Sequence, residues 1–167
     1  EWHEAQFQAF DLILGAMWPQ IGGAPGWLDV MGLNYYPHNQ WVHGGGKISR
    51  DHPAYRPLGD LLCDAHARYG RPILIAETGT EGPSRASWFT YVAAQAERAR
   101  QRGVPVEGIC LYPVVDHLGW DDDRYCPNGL LGLAMRDGQR AVEPDLLREV
   151  LRVTGMEAGL PKRAYAG

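Results

Sequence analysis

Three short apolar runs constrain this chain most, because each closes on polar or aromatic residues and none alternates. The runs are Leu28-Asp29-Val30-Met31-Gly32-Leu33 before Asn34-Tyr35-Tyr36, Ile73-Leu74-Ile75-Ala76 before Glu77-Thr78-Gly79, and Gly108-Ile109-Cys110-Leu111 before Tyr112. Strands apolar on both faces belong to parallel sheets covered by helices, whereas half-solvated antiparallel strands alternate. Segments of helical period separate the runs and predict helices over residues 2–17, 57–69, 84–102 and 143–153. Strands are expected over 28–36, 73–76 and 108–115. The order helix, strand, helix, strand, helix, strand, helix defines an α/β class.

Local signals support these bounds. Gly70 and Gly103 follow the second and third helices as C-terminal stops, and Ser84 is placed to cap the third. The third helix carries an inner stripe of Trp88, Tyr91, Val92, Ala96 and Ala99 and an outer face of Glu97, Arg98, Arg100 and Arg102. Two segments without period, 38–55 around Gly44-Gly45-Gly46 and 116–129 around Asp121-Asp122-Asp123, read as long loops, which in compact domains usually carry function or motion.

Charge and composition exclude several function classes. A formal net charge of −4 with no basic block speaks against a nucleic-acid partner. No apolar run approaches the roughly 18 residues of a membrane span, so no membrane is expected, and the amino-terminal residues lack the basic and apolar regions of a signal peptide. Cys63, Cys110 and Cys126 make an odd count without Cys-x-x-Cys spacing, so neither a disulfide framework nor a zinc site is expected and a reducing cytoplasmic setting fits best. No Gly-x-Gly-x-x-Gly or P-loop sequence follows a strand, which removes a nucleotide cofactor. The histidines are scattered and the three adjacent aspartates do not alternate as calcium ligands do, so no cofactor or metal is proposed.

In a barrel of parallel strands the carboxyl ends share one rim, where active sites are assembled. Glu77, directly after an apolar strand, is the sharpest candidate on that rim, since a partly desolvated carboxylate suits a nucleophile or an acid. The competing reading is a strand-end carboxylate that caps a helix or pairs with an arginine. For Tyr35, Tyr36 and Trp120 the competing reading is core packing.

These residues also carry a resemblance. Leu-Asp-Val-Met-Gly-Leu-Asn-Tyr-Tyr at 28–36 resembles the strand-six motif of family 1 glycoside hydrolases, the β-glucosidase type. Pro-Ile-Leu-Ile-Ala-Glu-Thr-Gly at 72–79 is similar to their strand-seven segment, and Gly-Ile-Cys-Leu-Tyr-Pro-Val-Val-Asp-His-Leu-Gly-Trp at 108–120 to their strand-eight segment. Asn128-Gly129-Leu130-Leu131-Gly132-Leu133 resembles the Phe-Gly-Leu that follows. The resemblance runs from about residue 7 to residue 153 and implies the carboxyl-terminal part of a (β/α)8 TIM barrel, strands six to eight. It implies Glu77 as nucleophile of a retaining β-glycosidase, Tyr36 as its hydrogen-bonding partner, and Asn34, Tyr112, His117 and Trp120 as substrate-binding positions. His38, which also follows a strand end, is a further candidate for substrate contact. The implied partners are a carbohydrate substrate and the amino-terminal half of the barrel.

Departures from the family pattern are equally specific. Thr78 stands where the family usually has Asn, Tyr112 where it has Trp, His117 where it has Asn, and Gly119 where it has the Glu that binds sugar hydroxyls. A preference for glucose or galactose is therefore not inherited. The family's acid/base residue lies in Asn-Glu-Pro, which does not occur here; Glu143-Pro144 reads as a helix start and Glu81 as a solvated loop charge. Residues 1–167 are thus expected to be part of a catalytic domain, with 154–167 as a tail, preceded by further sequence because Glu1 is not a methionine. A non-catalytic sugar-binding or half-barrel piece and a retaining glycosidase of another TIM-barrel family are the alternatives.

Overall fold

Ile73 and Ile75 place two β-branched side chains on one side of the central apolar run, as a strand packed against helices requires. In the computed structural model, which describes residues 2–156, this run is β2 (Ile73–Thr78), the middle of a three-stranded sheet. β1 (Met31–Asn34) and β3 (Val106–Leu111) flank it, both parallel to it. Parallel neighbours need a crossover, supplied by α3 (Leu58–Tyr69) between β1 and β2 and by α4 (Arg85–Gln101) between β2 and β3. The α/β class expected from the sequence is observed.

Helices lie on one face of the sheet only. Met31, Ile73, Ile75 and Val106 are buried beneath α3 and α4, against Leu58, Leu62, Val92, Ala96 and Ala99. The opposite face carries Leu74 between two glycines, Gly32 and Gly108, with Ala76 close to Gly32, and Gly32 and Cys110 are exposed. Burial therefore alternates although the sequence does not.

Element bounds differ where backbone geometry overrides the apolar pattern. The helix expected over 2–17 is two short helices, α1 (Trp2–Ala5) and α2 (Gln8–Ile13). Gly15, at φ 73°, turns the chain back so that the Ala24 amide bonds the Ile13 carbonyl, which ends α2 early. β1 covers four of the nine residues expected, since a 3₁₀ turn occupies Pro25–Trp27 ahead of it. β3 begins at Val106 and stops at Leu111, short of Pro113, whose nitrogen has no hydrogen to donate. Ser84 does not cap α4 through its side chain; a 3₁₀ turn, Gly82–Ser84, leads into the helix instead.

The loop expected over 116–129 contains a short antiparallel pair, β4 (His117–Leu118) with β5 (Tyr125–Cys126), and a second hairpin follows, β6 (Leu131–Ala134) with β7 (Arg140–Val142). Glu143 caps α5 (Pro144–Thr154) by accepting from the Leu146 amide, the structural role read from its sequence. Leu146 is buried, and Thr90 Oγ1 donates to Glu149 across the contact between α4 and α5. The expected tail at 154–167 begins on the last residue of α5; residues 157–167 lie outside the described residues. Among the described residues no helix is long and apolar enough to cross a membrane.

Candidate active site

The site forms where β1 and β2 end, and an irregularity in their register sets its geometry. Leu33 pairs with Ile75 but Asn34 pairs with Glu77, so one residue of β2 is skipped and Glu77 comes opposite Asn34. Such a bulge re-aims the side chains that follow it. Glu77 thus lies inside β2 rather than beyond it, half-buried, and Tyr36 from the neighbouring strand end donates its phenolic hydrogen to Glu77 Oε2 at 2.8 Å. Burial first, then the hydrogen bond and negative charge of Glu77, pushes the Tyr36 phenol above its ordinary range, so it remains a proton donor. Asn34 is exposed beside this pair.

A bonded chain behind the pair fixes it. Thr78 is fully buried; its hydroxyl donates to the Tyr35 carbonyl at 2.7 Å and accepts from Trp88 Nε1 at 2.9 Å. The Tyr35 ring stacks on Trp88 at 5.6 Å, and the Tyr35 amide donates to the Glu77 carbonyl at 2.9 Å. The strand ends that carry Tyr36 and Glu77 are therefore tied to each other and to α4. Sequence reasoning marked Thr78 as a departure without giving it a role, since its partner Trp88 read as core.

Tyr112 reaches the same rim from β3. A Cβ on Gly79 would stand 2.1 Å from the Tyr112 carbonyl oxygen, so only glycine lets the ends of β2 and β3 approach this closely. Tyr36, His38, Lys47, Gly79, Tyr112 and Asn128 are among the residues lining a cleft of about 400 Å³. Lys47 and Asn128 were not singled out from sequence: Lys47 lies in a loop without period and Asn128 far along the chain. Asn128 Oδ1 is buried without a hydrogen-bond partner, while its Nδ2 lies 3.0 Å from His117 Nε2.

The remaining expected residues are placed differently. His117 has both ring nitrogens engaged, Nε2 with Asn128 and Nδ1 with the Leu118 carbonyl, so it positions Asn128 rather than offering a free edge. Trp120 is 85% exposed on the β4–β5 turn and does not line the cleft. A Cβ on Gly119 would meet the Asp122 carboxylate, which accepts from the Arg124 amide, so the turn occupies the space a larger residue at 119 would need. Glu81 is an exposed loop charge, as read from the sequence, and Arg124 pairs with it through two hydrogen bonds of 2.8 and 2.9 Å that keep its carboxyl below the usual range.

Asp116, absent from the sequence reading as a functional residue, organises this side of the rim. It is 5% exposed, accepts from the Tyr125 hydroxyl and the Gly129 amide, and faces Arg85 at 3.7 Å. Arg85 in turn donates to the Gly129 carbonyl, so α4 clamps the segment that carries Asn128. Among the described residues no group of three or more His, Cys, Asp or Glu side chains is arranged to hold a metal ion.

Parallel strands with helices on one face and candidate side chains at their carboxyl ends are the arrangement of a sector of a (β/α)8 barrel. The chain is similar in structure to a hyperthermophilic β-glucosidase (TM-score 0.64, 20% identity, 88% of this chain and 37% of that one). It is similar also to the family 1 β-glucosidase of Thermotoga maritima (0.57, 19%, 75% and 34%) and to the β-glycosidase of Thermosphaera aggregans (0.58, 19%, 81% and 34%). The chain spans about a third of the length of these proteins. Neither a protein-family model nor a curated protein sequence matches it. The fold is therefore that of part of a β-glucosidase barrel.

Proposed function

We propose that the chain is the nucleophile-bearing part of a retaining β-glycosidase, with β1, β2 and β3 as strands six to eight of its barrel. The observation that supports this best is the 2.8 Å hydrogen bond from Tyr36 to Glu77 at adjacent strand ends. In the first step Glu77 attacks the anomeric carbon and the glycosidic bond to the leaving group breaks; water then hydrolyses the glycosyl ester. The Tyr36 hydrogen bond occupies Oε2, leaving Oε1 for attack. Tyr112 offers an aromatic face to the sugar.

Retention needs a second carboxyl group about 5–5.5 Å from the first. Glu81 is committed to Arg124 and Glu143 to the start of α5. The proton donor is accordingly assigned to the remaining strands of the barrel, which would run from the open edge of β3 round to that of β1. A hollow of about 500 Å³ there, lined in part by Phe10, Leu33, Leu61 and Leu62, gives those strands an apolar seat.

The complete enzyme, inactivated with a 2-fluoro-glycoside, should carry the label on the peptide containing Glu77; label on another carboxylate would refute the assignment. The exposure of Trp120 and the glycine at 119 favour a second reading, a sugar-binding part without turnover. Hydrolysis of nitrophenyl glycosides by residues 1–167 alone would exclude that reading.

A further inference from the structure

Asn128 and Gly129 form the only Asn-Gly step in the chain. Such a step is chemically labile, because a glycine nitrogen meets no Cβ on its way to the preceding side-chain amide carbon. As it attacks, the nitrogen gives up its hydrogen to solvent, an N–C bond closes a five-membered imide, and the side-chain nitrogen leaves as ammonia. Water then opens the ring at one carbonyl to give aspartate, or at the other to give isoaspartate.

Packing imposes this step on the chain. A Cβ on Gly129 would overlap the Asp116 amide nitrogen and the Val115 carbonyl carbon, so no larger residue fits there. Two backbone hydrogen bonds hold the segments at this separation: the Asp116 amide donates to the Leu131 carbonyl at 2.7 Å, and the Leu131 amide to the Val114 carbonyl at 2.8 Å.

The same contacts restrain the nitrogen that would attack. The Gly129 amide donates to Asp116 Oδ1 at 2.6 Å in a buried bond with a charged acceptor. A carboxylate beside that nitrogen also opposes loss of its hydrogen. Arg85 holds the Gly129 carbonyl at 2.7 Å and faces Asp116 at 3.7 Å, while the Gly82 amide holds the Pro127 carbonyl at 2.9 Å. The backbone is therefore anchored on both sides of Asn128. Its side chain is held on one side only, by His117, since Oδ1 has no hydrogen-bond partner.

We propose that Asn128 is a latent deamidation site on the wall of the cleft beside Tyr36 and Tyr112, kept closed by the clamp of Asp116 and Arg85. Opening the clamp frees the Gly129 nitrogen, and the product puts a carboxylate where the cleft now has a neutral amide. His117 Nδ1 faces a carbonyl and so donates, which leaves Nε2 of the neutral ring to accept from Asn128 Nδ2. A carboxylate at 128 has no hydrogen to offer it. None of this depends on what the cleft binds.

The test is incubation of the full chain at mildly alkaline pH, folded and in urea, with deamidation and isoaspartate in the peptide containing Asn128 followed by mass spectrometry. The folded chain should react there at least about tenfold more slowly than the unfolded chain, because attack waits on local opening. Asp116→Ala should remove most of that difference. Hydrogen exchange at Ile73, whose amide bonds the Pro105 carbonyl, distinguishes an opened clamp from an unfolded chain. Where Asp116→Ala loses protection at Ile73, the milder Arg85→Gln, which frees the Gly129 carbonyl, carries the comparison and should also react faster than the parent. Tyr125→Phe, which leaves the Gly129 amide bonded to Asp116, should react at about the parent rate. Equal rates in the folded and unfolded parent would overturn the protected site. A variant at Asp116 or Arg85 that keeps Ile73 protected yet reacts as slowly as the parent would overturn the clamp.

Discussion

Replacing Thr78 by valine tests the bonded chain behind the candidate nucleophile. The two side chains have nearly the same shape, but valine can neither accept from Trp88 Nε1 nor donate to the Tyr35 carbonyl. Both partners lie where water does not reach, since Thr78 is fully buried and Trp88 is 7% exposed. Two neutral hydrogen bonds contribute about 1 kcal/mol each, and a buried donor left unsatisfied costs about 1–3 kcal/mol. The added methyl recovers at most about 0.8 kcal/mol. The expected net loss is about 2–3 kcal/mol, read as a lower urea midpoint at unchanged slope. Thr78→Ser, which keeps the hydroxyl and removes one methyl, should lose about 1 kcal/mol. The Tyr36 ¹³Cζ resonance should shift in the valine variant and not in the serine variant, because the hydroxyl holds the Tyr35 carbonyl and with it the strand end bearing Tyr36. A valine variant within about 0.5 kcal/mol of the parent, or a serine variant equally damaged, would refute the clamp.

Glu77→Gln removes the negative charge facing Tyr36, so the phenol should titrate at lower pH by ¹³Cζ NMR while staying above its ordinary value, because burial is the larger cause. The Arg68 guanidinium holds the buried Asp11 carboxyl below its usual range; this stabilisation is complete above the unfolded value of about 3.9 and fades as pH falls through the lower folded value. Urea midpoints should therefore drop below about pH 4, and Asp11→Asn should flatten that slope while lowering stability at pH 6. Asp116→Ala leaves Arg85 and two further donors without their carboxylate, an expected cost of about 3–5 kcal/mol, and limited proteolysis should then cut first within residues 117–131. The unpaired edges of β1 and β3 should make the isolated chain self-associate in light scattering; a monodisperse monomer that unfolds cooperatively would contradict this.

Glu77 was legible because its signal is local: a carboxylate that closes an apolar run has few places to go. Tyr36 was legible through the family resemblance, and the structure brings the two within a hydrogen bond. Asp116 was not, since its buried state depends on Tyr125, Gly129 and Arg85, which reach it across 9 to 31 positions of chain. The small ladders at 117–142 escaped detection because strands of two to four residues offer too few positions for a period to show. Trp120 and His117 were placed at the sugar by alignment with a motif, yet the β4–β5 turn carries one outward and the Asn128 contact turns the other inward.

The uncovered sheet face links fold to function. Its residues are apolar and mixed in size, Gly32 near Ala76 and Gly108 against Leu74, whereas the helix-covered face holds Met31, Ile73, Ile75 and Val106. A face destined for water would carry polar side chains, and one destined for a flat helix layer would carry large apolar ones. An apolar face in which Leu74 stands between glycines instead suits a barrel interior, where side chains from alternate strands interleave into layers. The rim residues Asn34, Tyr36, Glu77 and Tyr112 follow directly on that surface, so the strand segments that would close the barrel also set the distance between Glu77 and its acid. The inner face and the missing proton donor are thus one requirement: the chemistry proposed for Glu77 depends on the same strands that cover Gly32 and Cys110.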